Sequence, residues 1–168
     1  MNIFLLHLLP RICAQMHLDK HVIKMILETA QLLCSAHYMS NSTFKPCYKL
    51  THKNHPSSIW CRTSKANYEW LCQLGLELCY EYTFRYGKIH KCEPIILELS
   101  QNIPPIPDKG FTTPAQAMPD IYKDKNDPIE AYRAYYFFDK NYIHSWKGKV
   151  NSRNIPDWII EMHTIFEK

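Results

Sequence analysis

The sequence predicts an all-α fold: a compact single-domain bundle of about five helices over residues 1–168, with an extended N-terminal segment and long proline-containing loops. Apolar residues recur at three- and four-residue steps in several long stretches, and no stretch shows the strong two-residue alternation of a strand. Prolines and serines precede these stretches as helix starts do. A hydrophobic content of 46% excludes general disorder, and the length suits one hydrophobic core.

The elements are predicted in chain order from these signals. Residues 1–9 are apolar but lack the basic residues that begin a signal peptide. We therefore expect an extended segment packed on the core rather than a signal peptide or a membrane span. A helix should span about residues 17–33, and a short one should follow Pro56. The second long helix should span residues 65–86, with Gly87 as its cap and Gly75 marking the close approach of another helix. Further helices are predicted at residues 94–99, 115–118 and 129–142. A final helix is predicted after Pro156, with these residues facing inward: Trp158, Ile159, Met162, Ile165 and Phe166.

The first long helix carries a polar face in an otherwise apolar stretch. Its polar members share an arc of roughly 100°, because each helical residue advances the wheel by about that angle. Burying charge is costly unless the charge is paired or faces a cleft, so this face is either a candidate active site or a plain solvent-facing stripe. Its members are His17, Lys20, His21, Lys24, Glu28 and Gln31.

Lys24 and Glu28 are the candidate catalytic pair on this face. A bifunctional DNA glycosylase requires an amine to attack C1′ of the sugar and a carboxylate to stabilise charge and move protons. We expect burial beside Lys20 and a protonated His21 to favour the neutral amine of Lys24. The alternative is a structural ion pair, which is common at this i,i+4 spacing.

Candidate substrate-binding residues lie in two further stretches. Asn54 and His55 precede a proline-initiated helix, so they can present polar side chains and free helix N–H groups to a phosphate or a base edge, or form only a turn and a cap. Basic and aromatic residues alternate at the end of the second long helix, where a phosphate backbone can bind. The residues expected to bind substrate there are Arg85, Tyr86, Lys88, His90 and Lys91.

Neither a metal nor an organic cofactor is predicted. Cys47, His52, His55 and Cys61 follow the ligand order of a zinc site, but their spacing matches no common zinc module. The 7 cysteines include no CxxC pair, which favours a reducing, intracellular setting over a disulfide scaffold. The chain also has no GxSxG nucleophile elbow and no glycine-rich phosphate loop.

The order of these features resembles the small pyrimidine-dimer DNA glycosylases of the phage endonuclease V type. The resemblance lies in residues 15–28, 53–56 and 81–88, roughly within the first half of the chain. The chain resembles more closely an uncharacterised group of phage and large-DNA-virus proteins with DKHVxKMxxE, NHP, EYxxRYGK and AMPDxYK segments. These segments correspond here to residues 19–28, 54–56, 81–88 and 117–123.

The resemblance implies a viral or phage nucleic-acid enzyme that acts on a base, in the cytoplasm or nucleus of the host cell. The glycosylase family uses its N-terminal α-amine as nucleophile together with a glutamate on the first long helix, and Glu28 matches that glutamate. Asn2 is too large for normal removal of Met1, so either the amine of Met1 or that of Lys24 serves, or the chain is no lyase. Lys20 and Lys24 stand where the family has an arginine-rich pattern.

Two other functions fit the same residues. A viral binding protein that sequesters a nucleotide or a nucleotide-derived signal needs the cationic and aromatic groups but no activated nucleophile. A nucleotide- or base-modifying transferase is the third interpretation. The expected partner is therefore DNA or a nucleotide, which the formal charge of +4 permits, and no membrane partner is expected.

Overall fold

The computed structural model describes residues 1–166, which contain seven α-helices, two short 3-10 helices and no strand. The all-α prediction is therefore confirmed, with more helices than the five expected. Residues 1–9 form no helix, and Ile3, Phe4, Leu5 and Leu6 are buried. No helix within residues 1–166 is long and apolar enough to cross a membrane. The α-helices are α1 (Pro10–Met16), α2 (Asp19–Met39), α3 (Pro56–Thr63), α4 (Lys65–Tyr86), α5 (Glu93–Gln101), α6 (Pro128–Lys140) and α7 (Asp157–Phe166).

Helix α2 starts two residues later and ends six residues later than the predicted helix of residues 17–33. This helix begins at Asp19, because His17 is the extended residue that ends α1. Helix α1 itself was not predicted, although Pro10 at its first position is a helix-start signal.

Two other local predictions were wrong. Residues 115–118 are not helical, since the carbonyl of Ala115 and the N–H of Ala117 both hydrogen-bond to the Tyr132 hydroxyl. In α7, Trp158 and Ile159 are buried as expected. The last turn lies outside the core, where 66% of Ile165 and 57% of Phe166 are exposed.

Helices α2 and α4 pack against each other at the centre of the bundle, and α1 and α5 also pack on α4. Gly75 is the point of closest approach, as the sequence predicted. A Cβ atom at Gly75 would lie 2.9 Å from the Thr29 Cγ2 atom of α2 and 3.1 Å from the Ile96 side chain of α5. Because Gly75 has no side chain, α2, α4 and α5 can pack closely at this point.

We expect Gly75→Ala to lower the free energy of unfolding by about 1–3 kcal/mol, because overpacking outweighs the gain of about 1 kcal/mol in helix propensity. Urea denaturation measures the change. Adding Thr29→Ser, which removes the Cγ2 atom, should restore part of the loss. A net stabilisation by Gly75→Ala alone would contradict the close packing.

A buried ion cluster formed by Asp19, Glu81, Arg85 and Arg153 joins α2, α4 and the segment that precedes α7. The Arg85 guanidinium donates to Glu81 at 2.7 Å and to Asp19 at 2.9 Å. Arg153 donates to Glu81 at 2.8 Å and 3.0 Å. Glu81 and Arg85 are both at most 1% exposed. The cluster therefore fixes the chain after α6 against the start of α2.

Candidate active site

Glu28 is a largely buried carboxylate between two amines. Its Oε2 atom accepts a hydrogen bond of 3.0 Å from the Asn2 backbone N–H and lies 3.6 Å from the α-amine of Met1. Its Oε1 atom lies 3.5 Å from Nζ of Lys24, one helical turn earlier. Only 7% of Glu28 is exposed, whereas 68% of the Lys24 side chain is exposed. The structure therefore joins the predicted pair to a third group, the N-terminal amine.

The N-terminal segment is held in this place by the Asn2 side chain. Its amide nitrogen donates to the Ala117 carbonyl at 2.9 Å, and its amide oxygen lies 3.0 Å from the Tyr132 hydroxyl of α6. The same hydroxyl accepts from the Ala117 N–H at 3.2 Å. Sequence reasoning missed Asn2 and Tyr132 as parts of the site. The one signal for them was the AMPDxYK segment, whose first residue makes these contacts.

His55 completes the surroundings of Glu28 from the loop before α3. As N-cap of α3, it accepts a hydrogen bond of 3.1 Å at Nδ1 from the Ser57 N–H, so its ring proton is on Nε2, where it can be donated. The pKa of His55 lies below its usual value, chiefly because partial burial disfavours the imidazolium. The positive charges of the Met1 amine and His52 lower it further, and Glu28 opposes them. Asn54 is exposed in the same loop.

A cavity of about 800 Å³ opens beside Glu28, between α2, the end of α4 and the loop of residues 88–92. The predicted substrate-binding residues Lys88, His90 and Lys91 line it together with Lys24 and Glu28. The structure thus brings separate parts of the predicted site to one cavity. The other lining residues are Ile23, Leu27, Gln31, Tyr48, Tyr82, Ile89 and Cys92.

No protein-family model matches this chain, and no curated protein or solved structure shows significant similarity to it. The functional assignment therefore depends on the geometry of the site. Among residues 1–166, no group of three or more histidine, cysteine or acidic side chains is placed to bind a metal ion.

Two histidines of the predicted polar face lie in the interior instead of the cavity. His17 is fully buried, with Nδ1 2.7 Å from the Cys13 carbonyl oxygen. His21 stacks on Phe4 at 4.4 Å, and its Nδ1 lies 2.9 Å from the Tyr136 hydroxyl. His17 lies before the start of α2, so the helical wheel does not apply to it. His21 does share a face of α2 with Lys24, but Phe4 and Tyr136 cover that part of the face. Neither is placed to orient a substrate in the cavity.

Three further residues that we expected to bind substrate also lie elsewhere. Arg85 is fully buried, and its guanidinium donates to Asp19, Glu81 and the backbone of α1, so it is an interior structural residue. Tyr86 is half-buried, with its ring 5.1 Å from that of Tyr82. Lys20 is exposed on the first turn of α2, away from the cavity lining.

The buried histidines predict a loss of stability in acid. Burial disfavours the imidazolium, which lowers the pKa of His17 to about 4 and that of His21 to about 3. His21 is therefore neutral near pH 7 and cannot promote the loss of a proton from Lys24, contrary to our expectation. In the unfolded chain, a histidine has a pKa of about 6.5 and binds a proton below that pH. In the folded chain, His17 does not bind a proton until the pH approaches 4, so acid favours unfolding.

We therefore expect the free energy of unfolding to fall between about pH 6.5 and pH 4, with up to about 1.4 kcal/mol per pH unit from each histidine. Urea denaturation at pH 7, 6 and 5 measures this dependence. His17→Gln should flatten it, because that site no longer titrates, whereas Lys147→Gln at an exposed position should leave it unchanged. If the free energy of unfolding changed equally with pH in His17→Gln and in the parent chain, the lowered pKa of His17 would be contradicted.

Proposed function

We propose that the protein is a DNA glycosylase with abasic-site lyase activity, in which the α-amine of Met1 is the nucleophile and Glu28 is the general acid and base. The observation that carries this proposal is the 3.6 Å contact between that amine and a carboxylate that is only 7% exposed. An amine next to a carboxylate that can take its proton is the pair that Schiff-base chemistry requires. The cavity beside Glu28 supplies room for a substrate.

Two observations favour the Met1 amine over Lys24 as nucleophile. An attacking amine must be neutral, and α-amines as a class lose their proton about 2–3 pH units below lysine side chains. The side chain of Lys24 is 68% exposed. The Met1 amine is also positioned by the hydrogen bonds of Asn2, whereas the Lys24 amine is at the end of a long and mostly exposed side chain. Lys24 instead supplies positive charge at the cavity.

The proposed reaction begins when Glu28 takes a proton from the ammonium group of Met1. The nitrogen lone pair then attacks C1′, and the glycosidic bond breaks with its electron pair leaving on the base, which gains a proton. Opening of the sugar ring gives an iminium between the α-nitrogen and C1′. Removal of a proton from C2′ expels the 3′-phosphate with the electrons of the C3′–O bond, and water hydrolyses the imine. The Nε2–H group of His55 can donate a hydrogen bond to the sugar or base during these steps.

The cationic residues around the cavity suit the phosphates of such a substrate. Lys88 and Lys91 are exposed on the loop after α4, and His90 lies between them. Because phosphate contacts release counterions, binding of DNA through these groups should weaken steeply as the salt concentration rises.

Borohydride trapping tests the proposal, because reduction converts the iminium into a stable protein–DNA adduct. The chain, with Met1 verified as its first residue by intact mass, is incubated with a duplex containing one abasic site and sodium borohydride. We expect a covalent adduct that persists in Lys24→Ala and is lost when additional residues precede Met1. Absence of an adduct, or an adduct that the N-terminal extension leaves unchanged, would overturn the proposal.

A further inference from the structure

The cavity beside Glu28 has a composition that the proposed lyase chemistry does not explain. Three apolar side chains at its edge are unusually exposed: 41% of Ile23, 39% of Leu27 and 72% of Ile89. Tyr82 and Tyr48 add aromatic surface to the same cavity. Phosphate binding alone requires none of these groups. Clustered exposed apolar side chains in a concave site indicate a ligand with an apolar or aromatic part.

The charges of the cavity indicate that this ligand is also an anion. Three lysines line it, whereas Glu28 is its one carboxylate and is already in contact with the Met1 amine and the Asn2 N–H. Neither Lys88 nor Lys91 forms an ion pair within residues 1–166. These two cations are therefore available to a phosphate group, and His90 lies between them in the chain.

Ile23, Leu27 and Gln31 line the cavity from successive turns of α2. Burial lowers the pKa of His90, and the nearby Ile23 carbonyl opposes this shift, so the His90 ring lies close to the Ile23 backbone. Gln31 lies about two turns further along α2, or about 12 Å. Tyr48 and Cys92 also line the cavity, with the Tyr48 hydroxyl 3.3 Å from Sγ of Cys92. Gln31 carries both a donor and an acceptor, which is the pattern needed to read a base edge.

We propose that this cavity binds a nucleoside monophosphate unit, with the base between the apolar and tyrosine side chains and the phosphate at Lys88 and Lys91. Its volume of about 800 Å³ is within the range of small-molecule sites. Base stacking on tyrosine is typically stabilising and independent of base identity, so Gln31 is the residue that sets any preference among bases. The unit is either a free nucleotide or an unpaired nucleotide of DNA, and both present the same chemistry. The inference goes beyond the proposed function, because binding requires no nucleophile.

Titration calorimetry of the full chain with the four deoxynucleoside monophosphates and with inorganic phosphate tests the free-nucleotide source. A duplex with a single unpaired 2-aminopurine, whose fluorescence changes when it unstacks or restacks, tests the DNA source. We expect at least one of these probes to bind more tightly than inorganic phosphate. Lys88→Ala with Lys91→Ala should weaken that binding at least tenfold, and Gln31→Leu should change the order of preference among the four bases.

The matched control replaces two exposed lysines outside the cavity, Lys147 and Lys149, with alanine and should change the affinity less than twofold. Absence of binding by every nucleotide probe, or equal weakening by both lysine pairs, would overturn the inference. The borohydride adduct is measured on the same protein preparation. An adduct without nucleotide binding contradicts only this inference, and nucleotide binding without an adduct contradicts only the proposed lyase.

Discussion

Glu28→Gln is expected to reduce cleavage of an abasic duplex and formation of the borohydride adduct by at least about 100-fold, since general acid–base catalysis contributes about 10²–10⁴. Glutamine keeps the size of glutamate and can still accept the hydrogen bond from the Asn2 N–H. It cannot take a proton from the Met1 amine, so the attacking group loses its general base. Single-turnover cleavage and the yield of adduct measure the effect.

The matched control is Glu98→Gln, which changes an exposed glutamate on α5 and should leave both rates within twofold. Circular dichroism and thermal unfolding verify that the Glu28→Gln chain is folded. A folded Glu28→Gln protein with nearly full activity would remove Glu28 from the mechanism.

Arg85→Ala is expected to lower the free energy of unfolding by about 3–5 kcal/mol, because it leaves the buried carboxylate of Glu81 without one of its two cations. The substitution also removes hydrogen bonds to Asp19 and to the backbone of α1. Such a loss is a large part of the stability of a domain of this size. Urea denaturation at pH 7 measures it.

Arg11→Ala, at an exposed position of α1, is the control for Arg85→Ala and should change stability by less than about 0.5 kcal/mol. If Arg85 instead contacted the substrate, as its place in the sequence suggested, Arg85→Ala would leave stability nearly unchanged and weaken DNA binding. That outcome would contradict the buried ion cluster.

Most of the helices and one part of the site followed from local sequence patterns. Glu28 was recognised because an apolar helix with a polar face requires a partner or a cleft for its carboxylate. Lys88, His90 and Lys91 were recognised because basic residues follow directly after the Gly87 cap. Both signals are contained in a few consecutive residues, so no knowledge of tertiary contacts was needed.

The rest of the site depends on contacts between distant parts of the chain. The Asn2 side chain meets Ala117 and Tyr132, more than a hundred residues away, and no spacing rule connects them. The sequence predicted that Arg85 binds substrate. Its structural role was not visible, because Arg153, which shares the Glu81 carboxylate with it, lies far along the chain. Ile23 and Leu27 belong to the apolar part of α2, yet they are partly exposed at the cavity. A helical wheel shows which residues share a face of a helix, but it does not show which other parts of the chain cover that face.

The central claim is that the Met1 amine, positioned by Glu28, forms the covalent bond to C1′. Peptide mass mapping of the borohydride adduct tests it most directly, since trypsin separates residues 1–11 from the peptide that contains Lys24. We predict the mass of the reduced sugar on the α-amine of the peptide 1–11. Its presence on Lys24, or on any other lysine, would contradict the claim.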